Sequence, residues 1–207
     1  GMQIATAKPT KAEMDGVPHH MMGFLPPDKT YSVASYVNDA SKCIADIHSR
    51  GMLPFIVGGT GLYVDSLLNN ISFSDDKRDE EYCLRLRKIG EEDGTDRLLD
   101  MLSEFDPESA QRLRGGRNIK RIIRAIEFYK TTGKTITEQI KESHNIPSPY
   151  SAVKLGLNCR DRQVLYDRIN RRVDIMLDEG LLEEAQRVIN SELSYTSVKA
   201  IGYKELI

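Results

Sequence analysis

The 207-residue sequence has few cysteines and no long apolar run. Its three cysteines, Cys43, Cys83 and Cys159, are far apart and form no C-x-x-C pair. That pattern argues against a disulfide framework and against a zinc site, and it indicates a reducing compartment. No apolar stretch approaches the ~20 residues that span a bilayer, and no signal-peptide pattern is present. We therefore predict a cytoplasmic protein that makes no use of a membrane.

The sequence also lacks a strong excess of either charge. Its 29 Lys and Arg residues nearly balance 31 Asp and Glu residues, so the net charge of −2 gives no global sign of a nucleic-acid partner. The distribution is uneven, however. Between Arg112 and Lys134 the chain has a single acid, Glu127, and eight basic residues, at positions 112, 114, 117, 120, 121, 124, 130 and 134. Such a run is either a phosphate-binding surface or a solvated helix face.

One apolar run ends in a cluster of glycines. Residues 53–57 are followed by Gly58-Gly59-Thr60-Gly61, and a helical pattern begins at once. The order predicts a buried strand that turns sharply into a helix. Glycines let backbone amides approach a ligand closely, and the start of a helix favours negative charge. The turn therefore predicts a site for a phosphate compound; the alternative is a tight connection that binds nothing.

Apolar stripes and capping residues give the order of the elements. Gly51 is placed to end the first helix, and Asp106 with Pro107 to begin another. A second apolar run at 152–157 predicts another strand, and strands that alternate with helices predict an α/β fold with a parallel sheet. We predict this core in 1–73 and 149–207 and a helical insertion in 74–148. The predicted helices are 33–50, 61–69, 79–90, 95–104, 107–114, 118–131, 135–143, one through Leu165 that ends at Gly180, and 181–190.

Several segments, taken in order, are similar to those of one family. They are Thr6-Ala7-Lys8-Pro9, Gly58-Gly59-Thr60-Gly61-Leu62-Tyr63, Lys120-Arg121-Ile122-Ile123-Arg124-Ala125-Ile126-Glu127, 165–172 and Lys199-Ala200-Ile201-Gly202-Tyr203-Lys204. Together they resemble the tRNA dimethylallyltransferases, also called tRNA isopentenyltransferases. The resemblance covers nearly the whole chain.

The resemblance implies a reaction and its partners. The reaction would be transfer of a dimethylallyl group from dimethylallyl diphosphate to the exocyclic amine of the adenosine at tRNA position 37. The implied core is a parallel sheet of the nucleotide-binding P-loop NTPase or kinase type, with Mg²⁺ as cofactor and its ligands mostly outside this sequence. The implied RNA partner is the anticodon stem-loop, and we expect a monomer. The P-loop itself and the aspartate that serves the family as general base are not in the sequence.

The resemblance also assigns roles to residues. Thr60 and Arg172 take the catalytic positions, and the guanidinium of Arg172 suits a diphosphate through its fixed charge and its fork of donors. A surface ion pair with Asp167 or Asp174 is the alternative for that arginine. The positions that line the diphosphate site and its channel are Gly58, Gly59, Thr60, Gly61, Arg168, Arg172, Thr6 and Lys8. The positions that contact tRNA are Met2, Gln3, Arg117, Lys120, Arg121, Ile122, Ile123, Arg124, Lys199, Ala200, Ile201, Gly202, Tyr203 and Lys204, of which Tyr203 is placed to stack on a base.

The sequence departs from the family pattern near Gln3, at Cys83 and at Arg114-Gly115-Gly116-Arg117-Asn118, where the family commonly has H-P-N-D. Met2-Gln3 is similar to the end of the family's D-S-M-Q motif, but only two residues separate Gln3 from Thr6 where the family has a longer stretch. Either a loop is deleted there or residues are omitted from the sequence. Cys83 stands where relatives often have an arginine that touches tRNA, and Arg78 and Arg85 are the candidates to replace it.

Other functions remain open on the sequence alone. One is an adenylate isopentenyltransferase that acts on the free nucleotide, although the basic run argues against so small a substrate. Another is a non-catalytic RNA-binding module or a kinase-like remnant. His19 and His20 are adjacent and have no acidic or cysteine cluster beside them, so we assign no residue of this sequence as a metal ligand.

Overall fold

A computed structural model describes residues 2–69, 79–116, 118–194 and 197–206 of the chain, the side chain of residue 144 excepted. All its regular structure in these ranges is helical. The helices are α1 (Val33–Ser49), α2 (Gly61–Leu68), α3 (Glu80–Glu92), α4 (Thr95–Ser103), α5 (Pro107–Arg114), α6 (Ile119–Thr132), α7 (Ile136–Asn145), α8 (Arg162–Asp178), α9 (Leu181–Ile189) and a short 3₁₀ helix at Ser197–Lys199. Each predicted helix is confirmed to within a few residues.

The chain divides into two compact units. The first unit comprises Gly1–Val57 and Ala152–Ile207, and the second comprises Gly58–Ser151. The first therefore contains α1, α8 and α9, and the second contains α2 to α7. The predicted boundaries of the helical insertion, at residues 74 and 148, stay a prediction.

Local chemistry explains where the helices begin and end. The Asp106 carboxylate accepts a hydrogen bond from the Ser109 amide at 3.0 Å, and Pro107 occupies the first turn of α5. At the end of α1, Gly51 has φ +69°, and its amide and that of Met52 bond to the carbonyls of His48 and Ile47 at 2.9 and 3.1 Å. These are the two bonds of a Schellman ending, which the sequence predicted at Gly51.

The second unit has a well-packed helical core. Helices α3, α4, α5 and α6 contribute its buried side chains, and α7 adds Ile136 at the edge. Gly90 of α3 lies so close to its neighbours that an added Cβ would come within 2.5 Å of Ile119 Cδ1 and 2.8 Å of Leu98 Cδ1. The core residues are Cys83, Leu86, Leu98, Leu99, Leu102, Ala110, Ile122, Ile123, Ala125 and Ile126. Burial of this set holds α6 firmly in place.

The predicted α/β fold with a parallel, kinase-like sheet is wrong for the described residues, which contain no strand. The segments 53–57 and 152–157 have the apolar composition of buried strands, but a strand exists only when a neighbouring segment shares its hydrogen bonds. Their side chains are largely exposed instead, Phe55 by 80% and Val57 by 94%. The apolar pattern indicates which side chains are suited to burial. It does not show whether another segment lies alongside to form the hydrogen bonds of a sheet.

A helix that spans a membrane must be both long and apolar. Within the described ranges, none of the helices combines the length and the apolar character needed to cross a bilayer.

Candidate functional site

In the first unit, three predicted segments meet around one carboxylate, that of Glu184 on α9. Glu184 Oε1 accepts hydrogen bonds from the backbone amides of Gln3 and Ile4 at 3.1 and 2.8 Å, and its Oε2 is also 3.1 Å from the Gln3 amide. The hydroxyl of Tyr203 donates to the same oxygen Oε1. The structure thus brings the N-terminal segment and the turn around Gly202 together, and no sequence motif indicates that Glu184 joins them.

The N-terminal segment, residues 2–8, folds into its own turn. The Thr6 hydroxyl is 3.0 Å from the Met2 carbonyl and 3.1 Å from the Gln3 carbonyl, so its proton is used within the segment. Ala7 has φ +50°. The ammonium of Lys8 lies against Gly23, where an added Cβ would be 2.1 Å from the Lys8 Nζ. Thr6 and Lys8, both predicted to line the channel, therefore share one short and locally bonded segment.

The turn at 200–204 gives a mixed result for the predicted RNA contacts. Tyr203 is fully buried among Ala185, Val188 and Met2, so its ring is not exposed to solvent here, and its stacking on a base stays a prediction. Burial raises the pKa of Tyr203, and the bond to Glu184 raises it further, which keeps the phenol neutral. Gly202 has φ +89° and lies against Ala5. The side chains of Lys199, Ile201 and Lys204 are exposed, and Ala200 packs against the buried cluster.

The glycine turn and Thr60 lie at the start of α2 in the second unit. Thr60 occupies the N-cap position, but its hydroxyl makes no capping bond. Nothing lies within 4 Å of the position that a Cβ would take at Gly58 or Gly59. The backbone at this helix start is therefore open, as a site for an anion requires. The assignment of Gly58, Gly59, Thr60 and Gly61 to a diphosphate stays a prediction.

Arg168 and Arg172 lie on α8 of the first unit. Both are exposed, and no side chain of α8 is buried. Neither guanidinium forms an ion pair with a described residue; Asp167 instead accepts a hydrogen bond from Gln163 at 2.9 Å. The described structure therefore gives no support to the alternative that Arg172 is held by Asp167 or Asp174. The charges of both arginines are open to solvent.

Helix α6 separates the predicted RNA contacts into two groups. Lys120, Arg121 and Arg124 are exposed, whereas Ile122 and Ile123 belong to the buried core. The period of the helix turns the side chains of those two isoleucines inward, and the prediction that these positions contact RNA stays a prediction. Arg117, which was predicted to belong to the same row, lies outside the described residues.

A buried acid on α6, Glu127, holds the exposed face in place. Glu127 is 1% exposed and bonds to the guanidinium of Arg124 and, at 3.2 Å, to the amide of Asp79. Lys130 donates to the Asp79 carboxylate at 2.9 Å and lies 3.8 Å from the centre of the Tyr82 ring. The bond from Lys130, aided by the Tyr82 amide, lowers the pKa of Asp79. The single acid in the basic run is thus buried and links Arg124 to the start of α3. A count of charges along the sequence does not show this.

Cys83 and the two adjacent histidines lie in different surroundings. Cys83 is 5% exposed and packs in the core, so this position faces inward. Arg85 is exposed and pairs with Glu81 at 3.8 Å, while Arg78 lies outside the described residues. His19 and His20 are exposed. Within the described ranges, no three His, Cys, Asp or Glu side chains are grouped so that they could hold a metal ion.

Comparison with known proteins gives one consistent family. The family model described as "IPP transferase" matches residues 1–207. A tRNA dimethylallyltransferase of Oceanobacillus iheyensis is 47% identical over 208 residues, which cover 100% of this chain and 66% of that protein. The corresponding protein of Halalkalibacterium halodurans is 46% identical over 207 residues, 100% of this chain and 65% of the relative.

A solved structure agrees with the sequence comparison. The full-length tRNA isopentenylpyrophosphate transferase from Bacillus halodurans matches with a TM-score of 0.62 and 43% identity, over 98% of this chain and 62% of that one. The chain thus spans just under two thirds of the length of these relatives.

The alignments correct one prediction near the N-terminus. The two alignments are 208 and 207 residues long and cover all 207 residues of this chain. They leave no room for an additional stretch of eight or nine residues in the relatives between the positions of Gln3 and Thr6. Both the deleted loop and the omitted residues are therefore wrong, and the assignment of Gln3 through the D-S-M-Q motif loses its basis. Its backbone contact to Glu184 remains.

Proposed function

The chain belongs to the IPP transferase family, and we propose that the protein transfers a dimethylallyl group from dimethylallyl diphosphate to the exocyclic amine of an adenosine in tRNA. Family membership carries this proposal, because the relatives that match the whole chain are named tRNA dimethylallyltransferases. In this reaction the C–O bond to the diphosphate breaks, a C–N bond forms, and the amine gives up one proton. The acceptor of that proton is assigned to none of the described residues.

We assign the RNA to the exposed face of α6 and name the anticodon stem-loop as its target. Lys120 and Arg121 are exposed and form no ion pair with another described residue, and Arg124 is half exposed beside Glu127. Their helix is fixed by its buried side, so the backbone positions from which these cations extend are defined. Cations spaced along a fixed helix suit a phosphate backbone, whose contacts position the nucleic acid without reading its sequence.

We assign the diphosphate to the exposed guanidinium groups of Arg168 and Arg172; for the glycine turn and Thr60, a contact with the diphosphate stays what the family resemblance implies. The leaving diphosphate gains negative charge as the C–O bond breaks, and guanidinium groups and open amides stabilise such charge. Thr6 and Lys8 are proposed to lie beside the target base. These roles rest on the family resemblance and on the exposure of the groups.

Magnesium belongs to the proposal only as a cofactor of the family's chemistry. The described residues contain no group of three candidate ligands, so they do not by themselves fit the ion, and no step is routed through it. Nucleotide binding at a P-loop, a monomeric state and a cytoplasmic location stay predictions of the same kind.

Prenyl transfer by the full-length protein tests the proposal directly. Radiolabelled dimethylallyl diphosphate is supplied with either an anticodon stem-loop RNA or AMP, with an RNA in which the target adenosine is replaced by guanosine as the control. We expect label in the adenosine-containing stem-loop alone. Label in AMP and none in RNA would instead establish the adenylate isopentenyltransferase, which the names of the relatives do not favour.

A further inference from the structure

Glu184 is a buried carboxylate to which the proposed reaction gives no role. It is 4% exposed and lies in the first turn of α9, where its own amide bonds to the Gly180 carbonyl at 3.0 Å. A buried charge is costly unless several donors surround it, and the start of a helix also favours a negative group. Burial of the Glu184 carboxylate is therefore unfavourable unless its partners offset it, and those partners indicate its role.

Those partners come from two segments that are far apart in the chain. The amides of Gln3 and Ile4, at 3.1 and 2.8 Å, belong to the N-terminal segment, and the Tyr203 hydroxyl belongs to the turn at 200–204. Each donor comes from a segment that also carries residues assigned to the substrates. Thr6 and Lys8 follow the first pair of donors.

Apolar contacts alone would bring the two segments together without fixing their orientation. Met2, Ala5 and Ala200 pack against a small cluster of Ala185, Val188 and Tyr203. Such contacts are non-directional, since they depend on area. Hydrogen bonds to a charged acceptor are directional and stronger than those to a neutral one. The two amides therefore fix how the backbone of residues 3 and 4 is turned, and with it the side chains that follow.

We propose that Glu184 is a positioning residue: its carboxylate holds residues 2–8 against the turn at 200–204 and so sets the places of Thr6 and Lys8. The inference rests on the proposed function for the roles of those two side chains. We call the contact of Glu184 with the Gln3 and Ile4 amides and the Tyr203 hydroxyl the clamp. The clamp is independent of the proposed function, because it is a property of the free protein. The two can therefore be tested separately.

The clamp is tested by hydrogen exchange in the full-length protein. Glu184→Ala should speed exchange of the Gln3 and Ile4 amides by about 10- to 100-fold, the range for bonds to a charged acceptor, and leave helices α3 to α6 unchanged. Glu184→Gln keeps one carbonyl acceptor and should give an intermediate rate. Glu183→Gln is the matched control, because Glu183 is exposed on the same helix. Unchanged exchange in Glu184→Ala would overturn the clamp.

Steady-state prenyl transfer then tests positioning. Glu184→Ala should lower kcat by about 10- to 100-fold and change KM for the stem-loop RNA much less, because the cations of α6 belong to the second unit and do not depend on Glu184. Glu184→Gln should recover part of kcat. Tyr203→Phe, which keeps the ring, should lower kcat less, and it carries the test if Glu184→Ala fails to fold.

Faster exchange of the Gln3 and Ile4 amides together with wild-type kcat and KM would overturn positioning. A wild-type protein that transfers no prenyl group refutes the proposed function, and exchange alone then decides the clamp.

Discussion

Helices α6 and α8 carry the two groups of arginines that the sequence singles out, yet their surroundings differ completely. Helix α6 buries six residues against α3, α4 and α5, whereas α8 buries none among the described residues. Both have an apolar stripe at helical spacing. The difference shows that a stripe defines the face a helix can bury, while the neighbouring elements decide whether it is buried.

The comparison matters because a charge acts best from a fixed position. On α6 the exposed Arg124 bonds to the buried Glu127, which also holds the Asp79 amide at the start of α3. On α8 the Asp167 carboxylate accepts a solvent-exposed bond from Gln163. We therefore regard α6 as a preorganised surface and α8 as a helix whose arginines the described residues leave free to turn.

The largest expected effect compares one substitution on both helices. Ile122→Ala removes a side chain that is 0% exposed on α6, and Ile169→Ala removes one that is 49% exposed on α8. The first should lower the free energy of unfolding by about 2–5 kcal/mol and the second by less than about 1 kcal/mol, because only the first leaves a cavity. Urea denaturation of the 207-residue chain measures both. Equal losses would show that α8 is as well packed as α6.

Substrate binding sharpens the comparison further. Arg172→Ala in the full-length protein should weaken binding of dimethylallyl diphosphate by about 10- to 100-fold and leave the affinity for stem-loop RNA unchanged. Arg121→Ala with Arg124→Ala should do the reverse and reduce the salt slope of RNA binding by about 1 to 2, since each phosphate contact contributes nearly one ion. Arg171→Ala is the matched control on α8. If Arg172→Ala weakened both ligands equally, the division of labour would be refuted.

Features that depend on neighbouring residues were predicted correctly from the sequence, and features that depend on residues far away along the chain were not. Helix ends depend on neighbouring residues, so Gly51 and Asp106 were located correctly. The strands depended on pairing with distant segments and were wrong. Glu127 and Glu184 were missed for a similar reason: a buried acid is stabilised by donors 48 and 181 residues away, at Asp79 and Gln3. The burial of Tyr203 was missed because its hydroxyl partner, Glu184, also lies on another element.

A third prediction concerns acid. Burial raises the pKa of Asp106, but hydrogen bonds from Thr137 and Ser109 outweigh it and leave the pKa below its ordinary value. The folded state thus binds this proton less readily than the unfolded chain, so the stabilisation is present above about pH 4 and is lost as pH falls through the lowered value. Asp106→Asn should make the free energy of unfolding depend less on pH in the acid range. At neutral pH it should lower the free energy of unfolding by about 1–2 kcal/mol. Urea titrations between neutral and acid pH test this.

The matched variant for Asp106 is Asp161→Asn at the start of α8. Asp161 also caps its helix, accepting from the Gln163 amide at 2.8 Å, but it is exposed. Asp161→Asn should lower the free energy of unfolding at neutral pH by less than Asp106→Asn does. Equal losses in the two variants would mean that burial is not what distinguishes the two caps.

The smallest effect tests the end of α6. Gly133 has φ +70° and closes the helix with a 2.8 Å bond from its amide to the Tyr129 carbonyl. An added Cβ would meet nothing within 4 Å, so the cost of Gly133→Ala is backbone strain alone, about 1 kcal/mol. Gly133→Asn should cost less, because asparagine tolerates the left-handed region. Thermal unfolding of both variants measures the difference, and equal losses for Ala and Asn would show that the strain at φ +70° does not decide the stability of this helix end.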